Sequence, residues 1–261
     1  MKANYHTHTF RCNHAQGTEK EYVEKAIESG LKILGFSDHT PYPFPDPKEY
    51  CSHTRMRMDE LEDYVTTILK LRDEYRDDID IHLGLEVEYF PPHFEVLHKE
   101  ISNYPIEYLL LAQHFLGDGH NSFPFCGGAT TDPSILKQYC AQVKEAMHLG
   151  CFTYLAHPDF INFTGDSQIY DTEMRALCQE AKALRLPLEI NFLGIGENRH
   201  YPNDALWKIA GEVGCDVVLG LDAHKPEAFD FEESLAKAHK IIERHRLHLL
   251  DTVAFRPCSG K

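Results

Sequence analysis

Seven short apolar runs recur along this chain, each followed by a longer amphipathic stretch, and each ends in or against a side chain able to bind a metal or a ligand. The runs end near His8, Ser37, Glu86, Gln113, Ala156, Asn191 and Leu221. Between them, segments 20–29, 58–75, 134–149, 171–184, 204–213 and 231–245 carry apolar residues at helical spacing, as in Leu61, Tyr64, Val65 and Ile68. The period then switches to short β-rich runs such as Cys215-Asp216-Val217-Val218-Leu219-Gly220. Strands alternating with helices in this way predict βα units in an α/β fold with a mostly parallel, barrel-like sheet. No repeat, low-complexity tract or linker interrupts the pattern, so residues 1–261 are expected to form one domain. Segment 117–131, rich in Gly, Asn, Pro and Phe, reads as a long loop after the fourth strand, a place where binding groups tend to sit.

The residues at the strand ends carry the functional signal. The first strand runs into Asn4-Tyr5-His6-Thr7-His8, and alternate residues on a strand share a face, so both imidazoles can reach one ion. The second runs into Phe36-Ser37-Asp38-His39, the third into Gly84-Leu85-Glu86-Val87-Glu88 and the fourth into Leu111-Ala112-Gln113-His114. The fifth ends in Ala156-His157-Pro158, the sixth in Glu189-Ile190-Asn191 and the seventh in Leu221-Asp222-Ala223-His224. In a parallel barrel these ends share one rim, where barrel enzymes place their active sites. Each residue alone has a plainer reading: His39 as a turn residue, His114 and His157 as core histidines bonded to backbone, Glu86 as a solvated strand end. His14, in the loop after the first strand, reads as a better ligand than its neighbour Cys12. The coincidence of ligand types at successive strand ends points to one shared site. The other ten histidines fall mainly in helices or loops and read as surface or packing residues.

Charge and cysteine usage narrow the function classes. A formal net charge of −15 with no basic run speaks against nucleic acid as a partner. The same charge repels a small phosphorylated substrate unless the site carries strong local positive charge, for which bound metal ions are the natural source. Cys12, Cys51, Cys126, Cys140, Cys151, Cys178, Cys215 and Cys258 are scattered without a C-x-x-C pair, which fits reduced thiols and mostly small core residues. The first residues lack an apolar signal region, and no apolar run approaches the ~18 residues of a membrane span. A cytoplasmic protein without a membrane partner is the expectation; the oligomeric state is not encoded legibly.

The motifs His6-Thr7-His8, Ser37-Asp38-His39, Gly84-Leu85-Glu86, Gln113-His114, Ala156-His157-Pro158 and Asp222-Ala223-His224 resemble those of the PHP (polymerase and histidinol phosphatase) family of metal-dependent phosphoesterases. The resemblance spans the chain from His6 to His224. It implies a distorted seven-stranded, TIM-like (β/α)7 barrel and a cluster of three metals. By resemblance, His6, His8, Glu86 and Asp222 serve the first metal, Glu86 bridges to a second held by His114 and His157, and His14, His39 and His224 hold a third. Segment 6–15, the turn Phe36-Ser37-Asp38-His39-Thr40-Pro41, and Leu188-Glu189-Ile190-Asn191 followed by Arg199 and Tyr201-Pro202 resemble the histidinol-phosphatase branch. That branch removes phosphate from L-histidinol phosphate in histidine biosynthesis. The length of the chain and its lack of a basic surface set it apart from the polymerase-associated members.

The residue chemistry agrees with this reading. Seven neutral imidazoles and two carboxylates give a formal ligand charge of −2, so three divalent ions would leave the site at +4 and attractive to a phosphate dianion. Mixed nitrogen and oxygen ligands suit zinc, manganese or iron. Water acidified by the metals would attack phosphorus in line, with Glu86, Asp222 and His157 as the catalytic ligands. Arg199, in a loop after the sixth strand, is a candidate for forking two hydrogen bonds to the phosphate, with a surface salt bridge as its plainer alternative. Asn191 is a second candidate substrate group, and Glu189 a candidate for orienting ligand or substrate. Two other classes remain: an amidohydrolase, which commonly bridges its metals with a modified Lys where this chain has His114, and a regulatory binding protein with a degenerate site.

Overall fold

The computed structural model describes residues 1–256, in which eight parallel strands follow one another in chain order around a curled sheet. They are β1 (Ala3–Asn4), β2 (Ile33–Phe36), β3 (Asp80–Glu88), β4 (Tyr108–Ala112), β5 (Phe152–Leu155), β6 (Leu188–Asn191), β7 (Asp216–Gly220) and β8 (His248–Leu249). The helices are α1 (Glu19–Glu28), α2 (Leu61–Glu74), α3 (Pro91–Ile101), α4 (Pro133–Met147), α5 (Ser167–Ala183), α6 (Phe192–Gly196), α7 (Asp204–Val213) and α8 (Glu232–His245). None is long and apolar enough to cross a membrane. The TIM-like α/β architecture is the one expected, with one strand more than seven. The addition is β8, two residues that pair with the start of β7 at Asp216 and Val217.

Local sequence sets most helix boundaries. Thr18 and Glu21 form a reciprocal capping box at the start of α1, and Asp132, Asp166 and Asn203 cap α4, α5 and α7 through their side chains. Gly214 ends α7 at φ +77°, a left-handed conformation that an L side chain resists. Helix α3 was hidden from the periodic reading by Pro91-Pro92, yet proline in the first turn is compatible with a helix, and Phe94, Leu97 and Ile101 give it a buried face. The 117–131 loop has no helix or strand of its own and is tied down by isolated bridges of Phe125 to Phe115, His120 to Tyr50 and Thr130 to Phe163.

Two apolar layers flank the strands. Outside, Leu109 and Leu111 pack in one continuous core with helix residues such as Tyr64, Ile68, Tyr139 and Trp207. Inside, Tyr5, Tyr108, Leu110, Ala112, Tyr154 and Val218 fill the barrel, and Leu250, Val253 and Phe255 close it from below. The alternation along β4 is the period-two rule at work, with Tyr108, Leu110 and Ala112 inward and Leu109 and Leu111 outward. Seven of the eight cysteines are buried, as expected of core residues; Cys258 lies outside the described residues.

Glycines make room for the bulky inner layer. A Cβ on Gly35 would stand 2.2 Å from the Tyr108 hydroxyl, and one on Gly84 2.4 Å from its ring. Tyr108 is wholly buried, and its hydroxyl lies 2.7 Å from the Tyr5 carbonyl and 3.0 Å from that of Phe36. It therefore pins β1 and β2 from inside the barrel. Gly84→Ala is expected to destabilise the protein by about 1–3 kcal/mol through overpacking. Adding Tyr108→Leu should relieve the clash, so that urea denaturation of both singles and the double shows a coupling of at least about 0.5 kcal/mol.

Candidate metal centre

The seam between the first and seventh strands closes at the rim and brings distant ligands together. His8 N–H donates to the Ala223 carbonyl at 2.9 Å, and Leu221 N–H donates to Asn4 Oδ1 at 2.9 Å. Asn4 also ties down the turn that follows β1, donating to Thr7 Oγ1 at 2.7 Å and to the His6 carbonyl at 3.2 Å. This turn lets Tyr5 point into the barrel while His6 and His8 face the rim, their ring centroids 5.1 Å apart. Asp222, at φ +50°, and His157, at φ +27°, are held in left-handed backbone conformations directly after their strands.

Glu86 is the hub. Its Oε1 lies 2.9 Å from His157 Nε2, 3.2 Å from His6 Nε2 and 3.9 Å from His114 Nε2. Its Oε2 lies 2.7 Å from His39 Nδ1 and 3.7 Å from His8 Nε2. Asp222 Oδ1 is 3.0 Å from His8 Nε2, 3.3 Å from His224 Nδ1 and 3.5 Å from His6 Nε2. The structure thus brings together His6, His8, His14, His39, Glu86, His114, His157, Asp222 and His224. His6, His8, Glu86 and His157 are nearly or fully inaccessible, whereas His14, His39, His114, Asp222 and His224 line a cavity of about 280 Å³ that opens above them.

Three observations fit this cluster to divalent cations. First, His14 Nδ1 lies 2.8 Å from the Cys12 carbonyl and His224 Nδ1 3.0 Å from the Asp222 carbonyl, so each ring donates from Nδ1. Their Nε2 atoms, both left as lone-pair acceptors, face each other at 3.0 Å. A cation between them resolves that opposition. Second, His6 Nε2, both ring nitrogens of His8, Glu86 Oε2 and His157 Nδ1 are buried without a hydrogen bond. Third, Asp38, Glu86, Glu189 and Asp222 are all at most 4% exposed, and among the described residues their ion pairs are to histidines alone. Buried charge of one sign is costly unless paired or metal-bound. Buried triads such as His6, Glu86 and His157, or His6, His8 and Asp222, place their ligand atoms within 4.8 Å of one another. The residues of the cluster fit a divalent-metal site.

Electrostatics run the same way. Burial opposes charge on His6, but Glu189, Asp222 and Glu86 outweigh it and lift its pKa well above the usual histidine value. His8 is raised to about 9, with burial outweighed by Asp222 and Asp38. Surroundings that draw protons onto imidazoles draw metal cations too. Burial pushes His39 down to about 4 and His224 well below the ordinary histidine value, which keeps these rings neutral as metal ligation requires.

The remaining candidates separate. Arg199 lies on the cavity wall, its guanidinium held by Glu197 at 2.7 and 2.9 Å and by the Tyr201 hydroxyl at 2.9 Å. Phe115, Phe125 and Phe160 form the aromatic side of the same cavity. Asn191, expected to touch substrate, sits below: its amide donates to Glu189 and Asp222, both at 3.0 Å, and its oxygen caps α6 at Gly194. Cys12 lies close to the His14 and His224 ligand atoms, but burial drives its thiol far above the ordinary range. Sequence reasoning missed Arg55 and Glu88, a fully buried ion pair beneath the site. Glu88 Oε1 accepts from the backbone of His114 at 2.7 Å and of Phe115 at 2.8 Å, fixing the strand end that presents His114. The signal available was a second inward Glu two residues after the first.

A family profile described as PHP domain matches residues 4–192. A Deinococcus radiodurans protein named "Probable histidinol-phosphatase" is 29% identical over 231 residues, 87% of each chain. The histidinol-phosphatase of Bacillus subtilis is 32% identical over 121 residues, 44% of this chain and 45% of that one. The crystal structure of a histidinol phosphate phosphatase from Lactococcus lactis, complexed with zinc, L-histidinol and phosphate, superposes with a TM-score of 0.76 at 19% identity. That match covers 97% of this chain and 98% of the other, and shows a shared fold.

Glu88 is held down to about 2, burial being overcome by Arg55 and His114. Arg55→Ala leaves this carboxylate buried without its guanidinium. The expected loss is on the order of 3–5 kcal/mol, read from the chemical-denaturation midpoint. Unchanged stability would show that the pair contributes nothing to the fold.

Proposed function

This chain belongs to the PHP domain family, and from that premise we propose that it is a metal-dependent phosphomonoesterase hydrolysing L-histidinol phosphate to L-histidinol and phosphate, the phosphatase step of histidine biosynthesis. The observation that carries the proposal is the convergence of seven histidines and two carboxylates beneath a cavity with one arginine on its wall. Histidinol-phosphatases among its relatives support the choice of substrate.

Three divalent transition metals, drawn from zinc, manganese and iron, are the proposed complement. His6, His8, Glu86 and Asp222 would hold the first, Glu86 with His114 and His157 the second, and His14, His39 and His224 the third. Bound there, the metals supply Lewis acidity, lowering the pKa of water and neutralising charge on the phosphoryl and leaving oxygens.

The chain's own groups do the rest. Arg199 presents a guanidinium whose Nε and one Nη are held by Glu197, so it is oriented before substrate arrives, and a phosphate would compete with Glu197 for the fork. The aromatic wall of Phe115, Phe125 and Phe160 gives the organic half of the ester an apolar surface and excludes water on that side. Counting Asp38 and Glu189 with the two ligand carboxylates, three divalent ions leave the centre at a formal +2 instead of +4, a match in magnitude to a phosphate dianion. The general acid for the leaving alkoxide is not assigned.

Purified protein should carry close to three transition-metal ions per chain by elemental analysis. Chelation should abolish phosphate release, and zinc or manganese should restore it. His157→Ala and Asp222→Asn should each nearly abolish turnover while circular dichroism stays close to wild type. A fully active protein with one bound ion would overturn the trinuclear assignment.

Substrate choice is tested by steady-state kinetics. L-Histidinol phosphate should be turned over with far higher kcat/KM than a simple chromogenic phosphate, since remote binding energy aligns the ester. Arg199→Ala should cost about 1.5–3 kcal/mol in kcat/KM with metal content unchanged. Equal kcat/KM for the two esters would indicate a general phosphoesterase, and an unaffected variant would return Arg199 to a surface role.

A further inference from the structure

Below the ligands, inside the barrel, Glu189 has no exposed surface and makes no ion pair to lysine or arginine among the described residues. Its Oε1 lies 2.7 Å from His6 Nδ1 and accepts from the Tyr154 hydroxyl at 3.3 Å. Its Oε2 accepts from the backbone N–H of His157 at 3.1 Å and from the Asn191 amide at 3.0 Å. The same Asn191 amide nitrogen donates to Asp222 Oδ2 at 3.0 Å. One carboxylate thus reaches the side chain of one ligand, the backbone of a second and, through an amide, the side chain of a third. Space for it is built in: a Cβ on Gly220 would stand 1.8 Å from Glu189 Oε1.

A side chain whose only purpose was to fill the barrel would be apolar, as Leu110 and Val218 are. A carboxylate in that position requires donors on every side, and it has them. We propose that Glu189 is a positioning residue of the metal centre: it fixes His6 as the Nδ1-protonated tautomer, so that the bare Nε2 faces Glu86 and Asp222, and it couples His157 and Asp222 to the same anchor. Asp38 stands in the corresponding place behind His8, but its Oδ1 is 3.4 Å from His8 Nδ1 against 2.7 Å for Glu189 and His6. Glu189 is the tighter of the two. This inference rests on the cluster being a metal site and not on the identity of the substrate.

Glutamine has one acceptor oxygen where Glu189 uses two. In Glu189→Gln, the amide nitrogen would face His6 or the donors of His157 and Asn191, so either the His6 tautomer or the backbone at His157 is disturbed. The experiment uses the full chain stripped with chelator and titrated with zinc against a competing chromophoric chelator. In parallel, nitrogen-15 spectra of the histidine rings of the zinc-loaded protein report which ring nitrogen carries the proton. Loss of a group that orients a ligand from behind typically lowers metal affinity roughly 10- to 100-fold. That loss is expected at the tightest site of Glu189→Gln, together with loss of the Nδ1-protonated His6 signal. Glu189→Asp, which keeps the charge but withdraws the oxygens, should fall between wild type and Gln.

Wild-type affinity together with an unchanged His6 tautomer in Glu189→Gln overturns the inference. Should that variant not accumulate as folded protein, Glu189→Asp decides: a zinc affinity equal to wild type overturns it, and a loss of threefold or more supports it. A wild-type protein that binds zinc but does not hydrolyse L-histidinol phosphate defeats the substrate reading and leaves this inference standing. A wild-type protein that binds no zinc defeats both.

Discussion

Four carboxylates buried at one end of a barrel, with histidines as their only ionic partners among the described residues, form the constraint to which the rest of the structure answers. Asp38, Glu86, Glu189 and Asp222 would be tens of kcal/mol out of place in an apolar interior if left bare. Their presence is tenable because the sheet delivers seven imidazoles to the same point and because divalent ions complete the balance. Two buried arginines nearby are compensated locally: Arg55 neutralises Glu88, and Arg11 is shared between Glu19 and Asp63 below the Thr9 hydroxyl that bonds Asp38. Asp159, buried two residues after His157, has no ion pair among the described residues, and burial lifts its pKa to about 6.

Much of this was legible in the sequence because it depends on period and position. Parallel strands turn each strand end to the same rim, so His6, Glu86, His114, His157 and Asp222 could be grouped from their places alone. His14 was the least determined by spacing, and its place was set by the 3₁₀ turn at Phe10–Cys12 and the left-handed Asn13 that ends it. What escaped the sequence was whatever depends on which atom faces which. Asn191 was correctly placed near the site, but its amide looks down toward Glu189 and Asp222, and no periodicity reveals that. The Arg55 to Glu88 pair spans a loop and a strand that become neighbours only once β2 and β3 are paired.

Glycine was the quiet signal. Gly84 stands two residues before Glu86 and Gly220 two residues before Asp222, on the same inward face as the ligand each precedes. The space so released is taken by Tyr108 in the first case and by Glu189 in the second. Ligand above and void below is one design used on two strands, and a large side chain reaching across the barrel fills the void each time. The inner core and the metal centre therefore cannot be altered independently.

The seam where β1 meets β7 has a consequence in time. Leu221 bonds to Asn4 across 217 residues of chain, and His224 faces His14 across 210. His6, His8 and His14 are therefore synthesised well before the partners that complete the cluster. Contacts of such long range are slow to form, and their loop-closure entropy must be met before they stabilise anything. Until Asp222 and His224 arrive, the nascent chain can offer at most an open half-ring of histidines around Glu86. On the proposed ligand assignment, metal capture at the seam would be a late event, a clasp closed on an otherwise finished barrel.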